Sequence, residues 1–371
     1  MIVYVAICCS LLFPLYLQRR SEQLDLPLEK TPLAICCFIL FFFFAMRAES
    51  VGVDTKHYCQ VFRQFVDIPM RSVFNAPIYG SSTNTWTFDF EPGYRLLNKL
   101  LTYLSTDGQI ITIATAILIY FPLYLFIYRD SPDAWLSIWL FVTLGIFQTE
   151  MNVSRNAVAI FFCYLSLPLI RQRRPIPYAM IVLLASTIHQ TALLFLPVYL
   201  LIRFVPLNTR RMTAVFAVTL FIGLNFSVFG RTIQTFVPAH YAKYFVSTNQ
   251  KLVSIVVGAF DVLVLLLALL MLKREERAGL IVRDPVGSWM FLLHVSFFAL
   301  ALGFSAGARA AALFAPYLIV LIPQILERIC DPRRKQAATV IAAVMCFAQY
   351  IARMSINNIG GSMPYQFFWH M

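Results

Sequence analysis

Residues 109–128 read QIITIATAILIYFPLYLFIY, a run in which no side chain carries a charge. A helix needs roughly 20 apolar residues to cross the ~30 Å hydrocarbon layer of a bilayer, so this run is long enough to span it. The rest of the chain has the same character, because 60% of its 371 residues are hydrophobic and only 13% are charged. This composition excludes a soluble globular protein. We therefore predict an all-α polytopic membrane protein.

Similar apolar runs occur on both sides of residues 109–128. We predict about twelve transmembrane helices, within a range of ten to thirteen, in a single membrane domain that covers residues 1–371. The runs fall near residues 2–17, 31–46, 109–128, 134–150, 154–170, 176–188, 190–204, 212–229, 252–272, 287–304, 309–326 and 336–353. The first run has no preceding basic region and no cleavage site of small residues, so we interpret it as a mature helix.

The positions of the basic residues predict the orientation in the membrane. Most of the 30 Lys and Arg residues lie in the short connections between apolar runs, and cytoplasmic connections are enriched in these residues. Placing both termini outside puts the densest basic connections on the cytoplasmic side. The net charge of +12 therefore reflects membrane topology, and we expect no binding to nucleic acid.

The stretch 176–204 has two interpretations. It is either one long tilted helix or two short spans broken at the polar residues SerThrIleHisGlnThr, 186–191. A single helix would move the basic runs at 273–277 and 329–336 to the outside, against the positive-inside rule, so we favour two spans. A broken helix at membrane depth is tolerated where its freed backbone faces protein or a wet cavity, which makes the break near His189 a pointer to a site.

Several classes of chemistry leave no signature in the sequence. The eight cysteines show no spacing typical of a zinc or iron centre. No phosphate-binding glycine loop, dinucleotide fingerprint or HExxH motif is present. We therefore predict that the protein uses no metal and no cofactor, and that it does not hydrolyse nucleotides.

One long polar insert, residues 47–108, separates the second and third runs. It contains VGVDTKHYCQVF at 51–62 and FDFEPGYRLLNKLL at 88–101. Aromatic residues at helical spacing predict a short amphipathic helix after Asp54, and Pro92 followed by spaced leucines predicts a second. The charge pattern places the insert outside, so we expect two surface helices that roof the membrane domain.

Two carboxylates of the insert are candidate functional groups. Asp54 precedes the first helix, where an acidic residue often only caps the helix. Glu91 precedes Pro92 at the start of the second helix, where the helix dipole also favours a carboxylate. A functional role and a purely structural role are both open for each residue.

Three basic side chains lie at the same predicted level. Arg155 lies in GlnThrGluMetAsnValSerArgAsnAla, 148–157, and Arg309 follows the small residues 305–308. Ionisable groups in such segments are costly and usually face an interior or wet cavity, and the planar guanidinium group suits phosphate oxygens. His189 is either a packing histidine or a functional residue that acts as a base, an acid or a hydrogen-bond donor to phosphate.

Together these segments resemble the EpsG family of Wzy-like O-antigen and exopolysaccharide polymerases. The resemblance rests on six segments, in order along nearly the whole chain. They are GlyValAspThr with Tyr58 and Phe62, GluProGlyTyr with Leu97 and Asn98, AsnValSerArg at 152–155, the His189 patch, the Arg309 segment with Pro323, and ProTyr at 364–365. One position departs from the expected pattern, since Asn156 follows Arg155 where a glutamine is expected.

The resemblance implies a glycosyltransferase of the bacterial inner membrane with the multi-span GT-C type of architecture. It implies that the enzyme joins undecaprenyl-pyrophosphate-linked oligosaccharide repeats, with its active site facing the periplasm, and it leaves room for a chain-length regulator as a partner. In this scheme Glu91, His189 and Asp54 are the catalytic candidates. Arg155 and Arg309 are expected to bind pyrophosphate, and Tyr58, Tyr94 and Asn152 to position the substrate.

Two other functions are open. A transporter or flippase of lipid-linked oligosaccharide would need cationic residues through the depth of the bundle, whereas the candidates here gather at one face. A polysaccharide ligase would run the same chemistry with another acceptor, and no residue pattern in the sequence separates it from a polymerase.

Overall fold

The computed structural model describes residues 1–14, 31–79, 90–226 and 285–370, with a few positions between 262 and 273. These residues form α-helices and short 3-10 helices, and the only pairing resembling a strand within them is an isolated antiparallel bridge between Arg47 and Phe367. The prediction of an all-α protein is confirmed. The α-helices are α1 (Ile2–Ser10), α2 (Thr31–Ala45), α3 (Thr55–Asp67), α4 (Pro92–Leu101), α5 (Gln109–Asp130), α6 (Ala134–Thr143), α7 (Ile146–Asn152), α8 (Ser154–Arg171), α9 (Pro175–Ser186), α10 (Leu196–Phe204), α11 (Thr209–Leu224), α12 (Pro285–Ala301), α13 (Ser305–Phe314), α14 (Leu318–Glu327) and α15 (Pro332–Asn357).

Three helical segments in the described ranges are long and apolar enough to cross a membrane: Gln109–Asp130, Ala306–Glu327 and Pro332–Asn357. A fourth span results if α6 and α7, which meet at a bend of 58°, are counted as one. Shorter apolar helices coincide with most of the other predicted runs. The run 252–272 lies almost entirely outside the described residues. The helices therefore support a membrane protein, while the count of twelve spans and the GT-C type stay predictions.

Contacts divide the chain into two compact units. The first contains residues 1–168, 176–193 and 329–371, and the second contains residues 169–175 and 194–328. This division does not test the predicted single membrane domain. All but one of the candidate residues belong to the first unit, which is therefore described in more detail.

The break predicted within 176–204 is confirmed. Helix α9 ends at Ser186, and a 3-10 helix, Gln190–Phe195, precedes α10. A second break separates α6 from α7 at Gly145, whose φ of 76° lies in the left-handed region that favours glycine. Arg353 of α15 donates a hydrogen bond of 2.7 Å from Nη1 to the carbonyl oxygen of Leu144, which satisfies a backbone acceptor that the end of α6 leaves open.

The insert forms the two predicted helices, α3 and α4, and each buries one face against the other. Their shared core is a cluster of mostly aromatic and aliphatic side chains, namely Tyr58, Cys59, Val61, Phe62, Phe65, Val73, Ile78, Phe90, Tyr94, Leu101 and Ile111. The basic residues of α4 also point inward. Arg95 donates from Nε to the carbonyl oxygen of Val73 at 2.7 Å, and Lys99 donates from Nζ to that of Phe65 at 3.1 Å. Within the described residues of the insert, the two helices thus share one packed core.

Arg47 joins the start of the insert to α7 within the first unit. Its side chain is 1% exposed, and its guanidinium carbon lies 3.9 Å from the centre of the Phe44 ring. Nη2 donates a hydrogen bond of 3.0 Å to the carbonyl oxygen of Met151 at the end of α7. This bond fixes the end of α7 beside the start of the insert.

The C-terminal segment, residues 358–370, pairs with the start of the insert. The backbone N–H of Ala48 donates to the carbonyl oxygen of Gln366 at 2.8 Å, and that of Gly52 donates to the carbonyl oxygen of Gly361 at 3.0 Å. These bonds hold residues 48–52 in place immediately before Asp54.

Candidate functional site

Glu91 is the centre of a charged cluster in the first unit. It occupies the N-cap position of α4, with Pro92 in the first turn, but its side chain does not cap that helix. Oε2 instead accepts a hydrogen bond of 2.6 Å from Nη1 of Arg155, and Oε1 accepts one of 2.9 Å that involves Nδ1 of His189. Oε1 also accepts a bond of 2.9 Å from the backbone N–H of Gln190. One carboxylate therefore joins two of the predicted candidates.

Arg155 lies in the first turn of α8, and its guanidinium group packs against two aromatic rings of the cluster. Its guanidinium carbon is 4.9 Å from the centre of the Phe90 ring and 5.4 Å from that of Tyr94. Such contacts stabilise a cation and fix its orientation. Nε is buried and, among the described residues, has no hydrogen-bond partner. Arg155 thus keeps donor capacity beyond its bond to Glu91.

His189 reaches Glu91 because α9 stops three residues earlier. Ser186 ends the helix, and the chain turns so that the imidazole of His189 and the N–H of Gln190 face the same carboxylate oxygen. An ionised carboxylate only accepts hydrogen bonds, so Nδ1 carries a proton, and in the neutral imidazole Nε2 is the nitrogen with an acceptor lone pair. The side chains of Glu91, Arg155 and His189 are 14%, 18% and 20% exposed. The site is therefore half-buried.

A close backbone contact sets the distance between α4 and the break. The N–H of Tyr94 donates a bond of 3.1 Å to the carbonyl oxygen of Thr187. A Cβ atom added at Gly93 would lie 2.2 Å from Oγ1 and 2.8 Å from the carbonyl oxygen of Thr187. Only glycine permits this approach, which brings Glu91 within bonding distance of His189.

The surroundings of Glu91 favour its ionised form. Burial alone would raise the pKa of this carboxyl, but the hydrogen bond to His189, the charge of Arg155 and the N–H of Gln190 outweigh it, so the pKa lies below its ordinary value. A group with a lowered pKa stabilises the fold above its unfolded pKa and loses this effect as the pH falls through the folded value. The cluster is therefore intact at neutral pH.

Asp54 and Asn152 are brought together at the edge of this site. Asp54 occupies the N-cap position of α3, yet its side chain makes no capping hydrogen bond. Its backbone N–H donates to Oδ1 of Asn152 at 2.9 Å. The side chain of Asn152 thus connects the end of α7, three residues before Arg155, to the start of α3.

Tyr58 and Tyr94 lie behind Arg155. Their exposed fractions are 9% and 1%, and their ring centres are 6.2 Å apart. The ring of Tyr94 contacts Arg155 directly, and the ring of Tyr58 packs against that of Tyr94. Arg309 belongs to α13 in the second unit and its side chain is exposed.

Three contributors were not anticipated from the sequence. Phe90 contacts Arg155, Gln190 supplies a backbone N–H, and the ring centre of His57 lies 6.3 Å from that of Phe90. His57 follows Asp54 by three residues and so lies on the same side of α3. This spacing is the one signal in the sequence that could have identified His57. The described residues contain no group of three His, Cys, Asp or Glu side chains suited to a metal ion.

Comparison with known proteins identifies one family. The chain matches the profile described as the EpsG family over residues 30–367, which is nearly its whole length. No curated protein and no solved structure gives a significant match to it.

Proposed function

Because the chain belongs to the EpsG family, we propose that it is a bacterial inner-membrane polymerase that joins undecaprenyl-pyrophosphate-linked oligosaccharide repeats at the periplasmic face. The family supports a polysaccharide polymerase-like activity of a glycosyltransferase kind, and the apolar helices support residence in a lipid bilayer. The observation that carries the proposal is the bridge from Arg155 through Glu91 to His189, which combines a cation for pyrophosphate with a group that accepts a proton.

The reaction requires two changes at one carbon atom. The hydroxyl oxygen of the incoming repeat forms a bond to the anomeric carbon of the growing chain, and the bond from that carbon to the pyrophosphate oxygen breaks. The hydroxyl proton passes to a base of the enzyme, and undecaprenyl pyrophosphate leaves with the electron pair. The enzyme must therefore stabilise negative charge on the leaving group and accept one proton.

Arg155 meets the first requirement. The leaving pyrophosphate gains charge in the transition state, and a fixed donor aimed at that charge lowers the barrier most where water is scarce. The rings of Phe90 and Tyr94 hold the guanidinium group in place, and Nε is a donor not used by the described residues. Arg155 also stands in the first turn of the 18-residue helix α8, whose N-terminal end favours an anion.

His189 and Glu91 meet the second requirement together. Glu91 fixes the imidazole through Nδ1, so a proton from the acceptor hydroxyl passes to Nε2, and the carboxylate stabilises the resulting imidazolium. Glu91 then acts as the residue that orients the base. Asp54 is the alternative carboxylate at the edge of the site, and Asn152 positions it through the backbone of α3.

The roles of the other candidates follow from their positions. We assign Tyr94 and Tyr58 to the wall that supports Arg155. Arg309 stays in the proposal as a second arginine for pyrophosphate, on the basis of the sequence alone. A ligase would use the same residues with a different acceptor.

The proposal is tested with the full-length protein in proteoliposomes, supplied with lipid-linked repeats extracted from the bacterium that produces the protein. The wild type should produce a ladder of saccharides that differ by one repeat. Glu91→Gln preserves the size of the side chain but removes the charge from both contacts, and it should lower kcat by about 10² to 10³-fold, within the range of general acid–base catalysis.

The control variant is Lys56→Ala, which changes an exposed residue of α3 and should leave the ladder unchanged. Protein that moves lipid-linked repeats across the bilayer without forming new glycosidic bonds would overturn the polymerase in favour of a transporter. Transfer of finished chains to a second acceptor without a ladder would identify a ligase.

A further inference from the structure

A hydrogen bond beside the charged cluster ties the break after α9 directly to α8. Asn156 follows Arg155 in the first turn of α8. Thr191 follows Gln190 in the 3-10 helix of the break. Oγ1 of Thr191 donates a hydrogen bond of 2.8 Å to Oδ1 of Asn156, and both side chains are partly buried. The roles proposed above use neither residue.

This bond closes a ring of contacts around Glu91. One arm of the ring is the 2.6 Å bond from Arg155 to Oε2 of Glu91. The other arm consists of the two 2.9 Å contacts of Oε1, with Nδ1 of His189 and with the N–H of Gln190. The residues that follow Arg155 and Gln190 are the two partners of the bond described above, so this bond joins the ends of the arms. It gives the break a direct contact with α8, whereas Glu91 connects the two only as a shared partner.

The chemistry of the pair suits it to fixing a position. A hydroxyl and an amide carry no charge, so neither neutralises a pyrophosphate, and neither takes up a proton at neutral pH. Thr191 is β-branched, which restricts rotation about its χ1. Because this side chain is short and stiff, the 2.8 Å bond limits how far the break can move relative to the first turn of α8.

We propose that Asn156 and Thr191 are a positioning pair, whose hydrogen bond fixes the distance between the guanidinium group of Arg155 and the imidazole of His189. The inference rests on the proposed function, in which Arg155 stabilises the leaving pyrophosphate and His189 accepts the proton. Neither member of the pair contacts the reacting atoms in this scheme. Both act through the residues that they hold.

The distance matters because Arg155 and His189 serve the same anomeric carbon in one step. If the break moves away from α8, one of the two groups is out of place while the other contacts the substrate. Displacement of a catalytic group by about 1 Å lowers a rate by about 10²-fold. Glu91 still joins the two groups after the bond is lost, so the displacement is smaller. We expect kcat to fall by about 3- to 10-fold, which corresponds to the strength of one neutral hydrogen bond.

The first test measures chain elongation per folded protein for the full-length chain in proteoliposomes. Thr191→Val replaces the hydroxyl with a methyl group of similar size, and Asn156→Ala removes the acceptor. Each should lower kcat by about 3- to 10-fold and leave KM within about twofold of the wild type, because the groups that bind the substrate remain. The double variant should lose no more than either single variant, since both remove one bond.

Two variants serve as controls. Thr191→Ser keeps the hydroxyl and should retain a kcat within about twofold of the wild type. Thr213→Val makes the same change at an exposed threonine of α11, whose Oγ1 bonds to the carbonyl oxygen of Thr209 in its own helix, and it should elongate chains at the wild-type rate.

The second test measures hydrogen exchange in nanodiscs and does not depend on the reaction. Loosening of the break weakens the bond from the N–H of Gln190 to Glu91, so peptides that contain Gln190 should exchange about 3- to 10-fold faster in Thr191→Val and Asn156→Ala. Peptides of α15 should exchange as in the wild type. A general loss of stability would instead speed up exchange in both regions.

Several results would overturn the positioning pair. They are a wild-type kcat in Thr191→Val or Asn156→Ala, losses that multiply in the double variant, a raised KM with an unchanged kcat, and unchanged exchange at Gln190. If the wild type forms no ladder, the proposed polymerase fails, and the exchange rates decide on the pair by themselves. Faster exchange confined to the break would then support a bond that positions His189, and exchange as in the wild type would exclude it.

Discussion

Substitution of Gly93 by alanine tests whether the approach of α4 to the break at Thr187 determines the geometry of the site. The new Cβ atom would lie 2.2 Å from Oγ1 and 2.8 Å from the carbonyl oxygen of Thr187, whereas real Cβ contacts essentially never fall below 3.0 Å. The carbonyl oxygen must therefore move by at least 0.2 Å and Oγ1 by at least 0.8 Å. Rotation of the Thr187 side chain would relieve the overlap with Oγ1 but not the overlap with the carbonyl oxygen, and it would break the 2.7 Å bond from Oγ1 to the carbonyl oxygen of Leu184.

The expected effect on activity is large because Glu91 is only two residues from Gly93. A displacement of several tenths of an ångström stretches the 2.9 Å contact between Glu91 and His189 towards the distance at which a hydrogen bond is lost. Misplacement of catalytic groups by about 1 Å lowers a rate by about 10²-fold. We expect Gly93→Ala to lower kcat by about 30- to 100-fold, at the lower end of that effect.

Gly93→Ala changes the stability of the fold through two opposing effects. Alanine stabilises a helix relative to glycine by about 0.5–1 kcal/mol, while the overlap costs about 1–3 kcal/mol. The net cost is therefore about 0 to 2.5 kcal/mol, which is below the stability of a typical folded domain, so Gly93→Ala should remain folded in the membrane and lose activity selectively.

Chain elongation per unit of folded protein is the measurement, and Leu100→Ala is the matched control because Leu100 lies on α4 and is 49% exposed. Adding Thr187→Ala removes the nearest atom, Oγ1, and should restore part of the activity of Gly93→Ala, which a double-mutant cycle detects. A Gly93→Ala protein with wild-type kcat would refute the argument, because it would show that this contact does not position Glu91.

Three further predictions concern the neighbours of Glu91. Arg155→Lys keeps the positive charge but loses the planar fork, so chain elongation should fall at least tenfold, by roughly the strength of one charged hydrogen bond; elongation at the wild-type rate would show that charge alone suffices. Asn152→Ala removes the acceptor of the Asp54 N–H bond and should lower the free energy of unfolding by about 1 kcal/mol. Asn152→Asp keeps an acceptor and should lower it less. Equal decreases in Tm for the two variants would contradict the role of Asn152 as the acceptor of this bond. Burial holds the pKa of His57 below its ordinary value of 6.5. The unfolded chain therefore binds the proton more readily, and stability falls as the pH drops below 6.5. The Tm of His57→Gln should depend less on pH in this range, and an unchanged slope of Tm against pH would count against burial of the neutral form.

Local patterns in the sequence predict the helices well. The apolar run 109–128 coincides with α5, and Asp54 and Pro92 stand at the starts of α3 and α4 as predicted. These features depend on hydrophobic spacing and helix-start residues within a few positions of one another. Even the break at 186–191 was visible, because polar residues interrupt an apolar run.

The contacts that make the site were less predictable. Glu91 and Asp54 occupy N-cap positions, where local rules predict that each carboxylate binds its own helix, yet neither does. The competing partners of Glu91 come from residues 155 and 189–190, which are distant in sequence. A single sequence does not encode those distances in any local pattern, and for this reason His57 and Phe90 were missed although their neighbours were recognised.

The break after α9 and the charged cluster are one feature of the molecule. A helix break within an apolar segment leaves C=O groups at the end of one helix and N–H groups at the start of the next without partners in either helix, and each unpaired group is costly away from water. Here the N–H of Gln190 binds Oε1 of Glu91, so the carboxylate satisfies a backbone donor while it orients His189. Conversely, a regular helix through residues 186–190 would remove both the free N–H and the turn that carries His189 to Glu91. The break is therefore required by the site, and the ionised carboxylate compensates for the hydrogen bonds that the break removes.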